Sequence, residues 1–210
     1  VTALRRSRRT GFTLIEVMIA LVIFGLITLN LSMVAKASSA AYGTGVFSSV
    51  LEDQADLTMD RLSLALMSSS AKQLQPIPPV PNSTPTINFQ ESLGVQEGQI
   101  VLGDPEQIEF VPGVDGGPGQ IVWRENPGAP NERSAVWTSW VPLLQGNEKN
   151  PDKAELANGV DDNGNGLVDE KGLAFEPQGA KVGIFLTLER TNSQGQKFVK
   201  TRQTVVTCRN

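Results

Sequence analysis

The chain has 210 residues, 40% of them hydrophobic and 19% charged, with a formal net charge of −4. That length and balance suit one or two folded domains and exclude a disordered chain. It contains no histidine and one cysteine, Cys208, which excludes Ser-His and Cys-His catalysis, histidine-bound zinc and any intrachain disulfide. Four arginines, Arg5, Arg6, Arg8 and Arg9, cluster near the start. Without them the formal net charge falls from −4 to −8. Direct nucleic-acid contact is therefore not expected, because gripping phosphates takes clustered Lys and Arg.

Residues 1–11 read as a basic leader and residues 12–35 as a transmembrane helix. Residues 14–35 as a helix span about 33 Å at ~1.5 Å per residue, enough for a hydrocarbon core of roughly 30 Å. The arginines ahead of it put the N-terminus in the cytoplasm and the remainder of the chain, beyond the helix, outside. The chain opens on Val1, so the full length of the leader is left open. Glu16 interrupts the apolar run. An acidic residue in a spanning helix costs about 2.5–3.5 kcal/mol at mid-bilayer, so it is paired, functional or close enough to the interface to snorkel.

The run Gly11-Phe12-Thr13-Leu14-Ile15-Glu16-Val17, followed by Met18-Ile19-Ala20-Leu21, resembles the cleavage and methylation signal of type IV prepilins and type II secretion pseudopilins. The resemblance implies that a prepilin peptidase cuts after Gly11 and methylates the new N-terminus at Phe12. It also implies that Glu16, the fifth mature residue, guides assembly with other pilin or pseudopilin subunits. The physical expectation is that the Phe12 amine of a neighbouring subunit supplies the cation a carboxylate needs in low dielectric. The competing reading is a secretory signal peptide cut at Ala35-Lys36-Ala37. Its apolar run would exceed the usual ~7–15 residues, and Glu16 would have no role.

Residues 36–75 are expected to continue the helix amphipathically. Leu51, Ala55, Met59, Leu62 and Leu66 recur at spacings of four or three, with Val50, Leu57 and Leu64 widening that face and Glu52, Asp53, Asp56 and Asp60 opposite. Pro76, Pro78 and Pro79 end the helix by Gln75. The apolar face packs on the chain's own sheet, with a partner helix covering part of it as the alternative.

Residues 76–210 form the head, opening with a proline-rich stretch at 76–85. Strands are predicted at 86–90, 99–102, 107–111, 120–124, 135–143, 181–190 and 198–208, with the prolines confining the earlier ones to short or edge positions. Val182, Ile184, Leu186 and Leu188 alternate as on a half-buried strand. The expected fold class is α+β: a long N-terminal helix on a mainly antiparallel sheet. Trp123, Trp137 and Trp140 read as one-sided burial and Cys208 as a small buried hydrophobe. The terminal run Thr204-Val205-Val206-Thr207-Cys208-Arg209-Asn210 resembles the last strand of some minor pilins and J-type pseudopilins, as does the Ala-Leu-Val-Ile-Phe run at 20–24.

Residues 158–170 read NGVDDNGNGLVDE. Asp161, Asn163 and Asn165 alternate, Gly166 follows, the Leu167 carbonyl takes the seventh position and Asp169 the ninth. This is the opening of a D-x-[DN]-x-[DN]-G calcium loop, in which alternating short oxygen side chains converge as the backbone curls. Val168 is expected to anchor the loop. The twelfth position, where a bidentate Glu would stand, is Gly172, and Glu170 is the candidate substitute. The cofactor expected here is Ca²⁺, with a metal-free Asn/Gly/Asp surface turn as the alternative; calcium-stabilised head loops also occur in the pseudopilins the signal resembles.

The function expected from all of this is a non-enzymatic structural subunit, a minor pilin or pseudopilin. It would be anchored in the cytoplasmic membrane and then assembled into a pilus-like or secretion filament. The alternative is a membrane-anchored or secreted calcium-dependent adhesin.

Overall fold

A computed structural model describes residues 12–77, 83–150, 153–192 and 195–209. The leader, Gly11 and Pro78 and Pro79 lie outside these. The chain divides into two units, Val1–Val46 and Phe47–Asn210.

In the first unit the backbone is helical from Leu14, and every apolar side chain from Phe12 to Val34 is exposed. The helix α1, Leu14–Ser68, is long and apolar enough to cross a membrane. Few charges interrupt it before residue 46, and its backbone donors and acceptors pair internally, as a bilayer requires.

The second unit is built from the last turns of α1 and seven strands. These are β1 (Thr86–Gln96), β2 (Gln99–Val111), β3 (Gly119–Glu125), β4 (Arg133–Val141), β5 (Leu173–Gln178), β6 (Lys181–Thr191) and β7 (Lys197–Thr207). They form two antiparallel sheets, ordered β1-β2-β3-β4 and β5-β6-β7. The α+β class expected from the sequence stands, with two sheets where one was expected.

The main core is one cluster that draws on every one of these elements. Leu51, Ala55, Met59, Leu62 and Leu66 of α1 meet Ile87 and Phe89 of β1, Ile108 of β2 and Ile121 of β3. Val141 of β4, Phe175 of β5, Ile184 of β6 and Val206 of β7 complete it. The helical stripe is thus the one predicted from its spacing. Val50, Leu57 and Leu64 do not widen it: they are exposed, because at about 100° per residue they fall roughly opposite the centre of the Leu51, Ala55, Met59, Leu62 and Leu66 stripe.

Four further expectations are corrected. The α-helix stops at Ser68, short of Gln75. The backbone of Ser69 donates to Leu66 in a tightened last turn, and Ser69 and Ser70 then pair with Glu91 and Arg209. The segments predicted at 99–102 and 107–111 are one strand, β2, running through Pro105. The missing N–H is tolerated there because pairing with β3 begins only at Glu106 and a bulge on β1 follows Gln90. The strand β5 was not foreseen; Pro177 lies within it, at the edge of its sheet. Finally, β6 is buried on both faces, since Gly183, Phe185 and Thr187 are covered as well as the alternating aliphatics.

The tryptophans are half-buried against the core, and the Arg190 guanidinium lies 4.4 Å from the Phe47 ring centre and 4.5 Å from that of Trp140. Cys208 is buried, as expected. The two faces of α1 make a direct test. Leu62→Ala should cost about 2–5 kcal/mol of head stability by leaving a cavity. Leu64→Ala should change it by no more than ~0.5 kcal/mol. Denaturant titration of the full chain in detergent, read by tryptophan fluorescence, distinguishes the two.

Candidate functional site

Two places in the chain carry candidate function: the start of α1 and the loop before β5. At the first, the backbone N–H and the Oγ1 of Thr13 both donate to Glu16 Oε2 at 2.8 Å, and the Glu16 N–H donates to Thr13 Oγ1 at 3.3 Å. This is a reciprocal capping box, Thr-x-x-Glu, satisfying donors that the first turn leaves without helical partners. It was legible in the sequence as Thr13-Leu14-Ile15-Glu16 and was overlooked there. Glu16 therefore has a local role in addition to any role with a neighbour. Among the described residues, its Oε1 accepts no hydrogen bond. Phe12 stands exposed just ahead of the cap.

In the loop, the alternating residues curl as their spacing implies. Asp161 accepts from the N–H groups of Gly164, Asn165 and Gly166 at 2.6, 3.2 and 2.8 Å. Asn163 Oδ1 accepts from Asn165 N–H, and Asn165 Oδ1 accepts from Leu167 N–H. The free amide ends converge: Asn163 Nδ2 and Asn165 Nδ2 donate to Glu170 Oε1 at 2.7 and 2.6 Å. Asp169 instead accepts from the N–H groups of Asn158 and Gly159, closing the base of the loop. Gly166 has φ +90, the left-handed backbone that favours glycine at the sharp bend.

The loop is fixed by Leu167, not by Val168. Leu167 is buried in a small second cluster with Ala174 of β5 and Phe185 of β6, on the face of that sheet away from the main core. Val168 is only half-buried. Gly172 explains the missing glutamate at the twelfth position. A Cβ there would lie 2.4 Å from the Pro142 carbonyl oxygen and 2.8 Å from Val141 Cγ1, so no side chain fits. Glu170, two residues earlier, turns inward instead and is 2% exposed.

Sequence reasoning missed Glu155, which is 3% exposed. Its Oε1 accepts from the N–H groups of Asp162 and Asn163 at 3.0 Å each, and its Oε2 accepts from Asp169 N–H at 3.1 Å. No spacing rule points to it, because it lies upstream of the loop motif. Glu170 Oε2 is buried and has no hydrogen-bond partner among the described residues. Glu155 and Glu170 thus place two buried carboxylates beside one loop. No group of three or more Asp, Glu or Cys side chains stands together as a metal cluster among the described residues. A cavity of ≈ 670 Å³ opens beside the loop, lined in part by Asn163, Asn165, Gln145 and Glu148.

Burial raises the Glu155 carboxyl above its ordinary value of 4.5, and the Glu170 charge adds to this against the opposing amides of Asn163, Asp169 and Asp162. A carboxyl held above its unfolded value adds stability that is complete below that value and is lost as the pH climbs through the folded one. In metal-free buffer, the thermal midpoint of the wild type should therefore fall relative to that of Glu155→Gln as the pH is raised from about 4 to about 7. A difference between the two proteins that stays constant with pH would contradict this.

No curated protein and no solved structure matches the chain. A family-model match lies at the N-terminus and covers Glu16 with its capping box. Residues 6–29 fit the family model described as the prokaryotic N-terminal methylation motif, so the chain carries the type IV pilin and pseudopilin signal at the head of its membrane-length helix.

Proposed function

We propose that this protein is a minor pilin or pseudopilin: a structural, non-enzymatic subunit that a prepilin peptidase processes and that joins a type IV pilus-like or type II secretion filament. The observation carrying this is the methylation signal at residues 6–29, set directly on a helix long and apolar enough to span a membrane. The leader arginines hold the N-terminus in the cytoplasm. The peptidase cuts the Gly11–Phe12 bond and methylates the Phe12 amine. In the bilayer an uncompensated carboxylate at Glu16 is costly. The amine of a neighbouring subunit's Phe12 relieves that cost by pairing with it. Thr13 keeps Oε2 of Glu16 on the capping box, which leaves Oε1 for the incoming amine. Assembly then covers the apolar surface of residues 12–35, exposed in the single chain.

The loop serves this role as a calcium-stabilised element of the head. Asp161, Asn163, Asn165, the Leu167 carbonyl, Asp169 and Glu170 are the residues that would hold the ion. An oxygen-only set of this kind suits Ca²⁺. The unpartnered Glu170 Oε2 and the repulsion between Glu155 and Glu170 both favour added positive charge. The adjoining cavity provides a path of entry. The adhesin alternative draws less support from the tryptophans, which lie half-buried against the core.

Mass spectrometry of the mature chain should find N-methylated Phe12; a mature chain beginning at Ser38 would sink the proposal. Glu16→Leu should be processed normally yet fail to enter sheared filament fractions. Saturating calcium, at about 100 times its dissociation constant, should raise head stability by roughly 2.7 kcal/mol over chelator. Asp161→Ala should abolish that gain. Equal midpoints in calcium and chelator would exclude the ion as a stabiliser of the head.

A further inference from the structure

The last turns of α1 carry a second stripe, on the side turned away from the head. Val50, Asp53, Leu57, Asp60, Leu64 and Met67 follow one another at spacings of three, four, three, four and three. That is the spacing of a coiled-coil seam. Its apolar members are exposed in the single chain: Val50 39%, Leu57 45%, Leu64 68% and Met67 51%. At ~1.5 Å per residue the seam is about 26 Å long, enough for a stable helix–helix contact.

Its charges are the informative part. Glu52 and Asp56, on the neighbouring flank of the same helix, are paired within the head: Arg202 bonds both, and Lys200 reaches Glu52 at 3.5 Å. Asp53 and Asp60 are exposed and make no ion pair or hydrogen bond among the described residues. The head thus neutralises the acids on its own side of α1 and leaves uncompensated the two that interleave with the outer leucines. Arg61 is exposed next to Asp60 but lies beside the seam, one helical position further round.

We propose that this seam docks a helix of a different subunit, one carrying Lys or Arg opposite Asp53 and Asp60. A second copy of this chain is the poorer occupant in either orientation. Packed parallel and in register, Asp53 meets Asp53 and Asp60 meets Asp60. Packed antiparallel with the two seams matched, Asp60 faces Leu57 and Asp53 faces Leu64. Both arrangements draw carboxylates out of water with no cation inside the seam to pair with them, Arg61 lying on its flank, which is unfavourable. A basic partner helix turns the same two positions into paired contacts that select the partner and set the register. The inference rests on the reading of this chain as a filament subunit and adds to it the chemical character of its neighbour.

The test uses the full chain in detergent micelles and two synthetic helical peptides with leucines at the matching spacing. One carries lysine at both positions facing the aspartates and the other carries glutamate, with binding read by fluorescence anisotropy. The lysine peptide should bind about tenfold tighter than the glutamate peptide. The preference should reverse in the double variant Asp53→Lys/Asp60→Lys, whose thermal midpoint reports whether the head remains folded. The proposal is overturned by equal affinities, by no binding of either peptide, or by a wild-type self-dimer that Leu57→Asp dissociates. Should Glu16→Leu enter filaments like the wild type while the lysine preference persists, the assembly reading falls and the seam stands.

Discussion

The contact on which the head depends is the burial of Leu51, Ala55, Met59, Leu62 and Leu66 from α1. Among the described residues the two sheets meet at few places: the bridge from Thr84, just ahead of β1, to Phe175, and the approaches of β1 to β5 and of β4 to β6. They are united by a common apolar partner. Burying a Leu-sized side chain is worth about 1.5–3 kcal/mol, so a stripe of this size is a large share of what a small head can muster. The same helix that is long and apolar enough to cross a membrane therefore also supplies the centre of the folded part. The part of α1 that belongs to the head begins at Phe47, whose ring already packs on Phe198 and Arg190.

Polar contacts also join that helix to β7. Arg202 and Lys200 of β7 reach Glu52 and Asp56 of α1 and Glu148 of the loop after β4. Burial pushes the Glu148 carboxyl up, but the bond from Lys200, the Thr201 N–H and the Arg202 charge outweigh it, and the net shift is downward. Partly exposed pairs of this kind contribute modestly to stability. They lie along one flank of the buried stripe and agree with the rotation of α1 that the stripe sets.

Much of this was legible in the sequence, and the failures have physical causes. The membrane segment and the buried stripe came directly from length and period, because burial imposes both. Val50, Leu57 and Leu64 were misassigned to the core because their apolarity was read without their angle, which at about 100° per residue lies opposite the buried stripe. Strand β5 was hidden by Pro177, which an edge position tolerates, and the two-sided burial of β6 by the absence of any sequence mark for a second cover layer. In the loop, the curl of Asp161, Asn163 and Asn165 followed from their spacing. The roles of Glu155 and Gly172 did not, since one acts from outside the motif and the other through a close approach of β4 residues distant in sequence.

The end of the chain returns to the end of the helix. Ser70 pairs with Arg209, the Arg209 N–H donates to the Ser69 carbonyl, and Cys208 N–H donates to Ala180. The single thiol of the protein sits at this junction, 4% exposed, its pKa raised by burial and only partly offset by a hydrogen bond with Ser69. A protonated, covered thiol reacts only when its surroundings open. The rate at which an alkylating reagent consumes Cys208 is thus a clock for the separation of the last strand from the end of α1. It requires no engineered label.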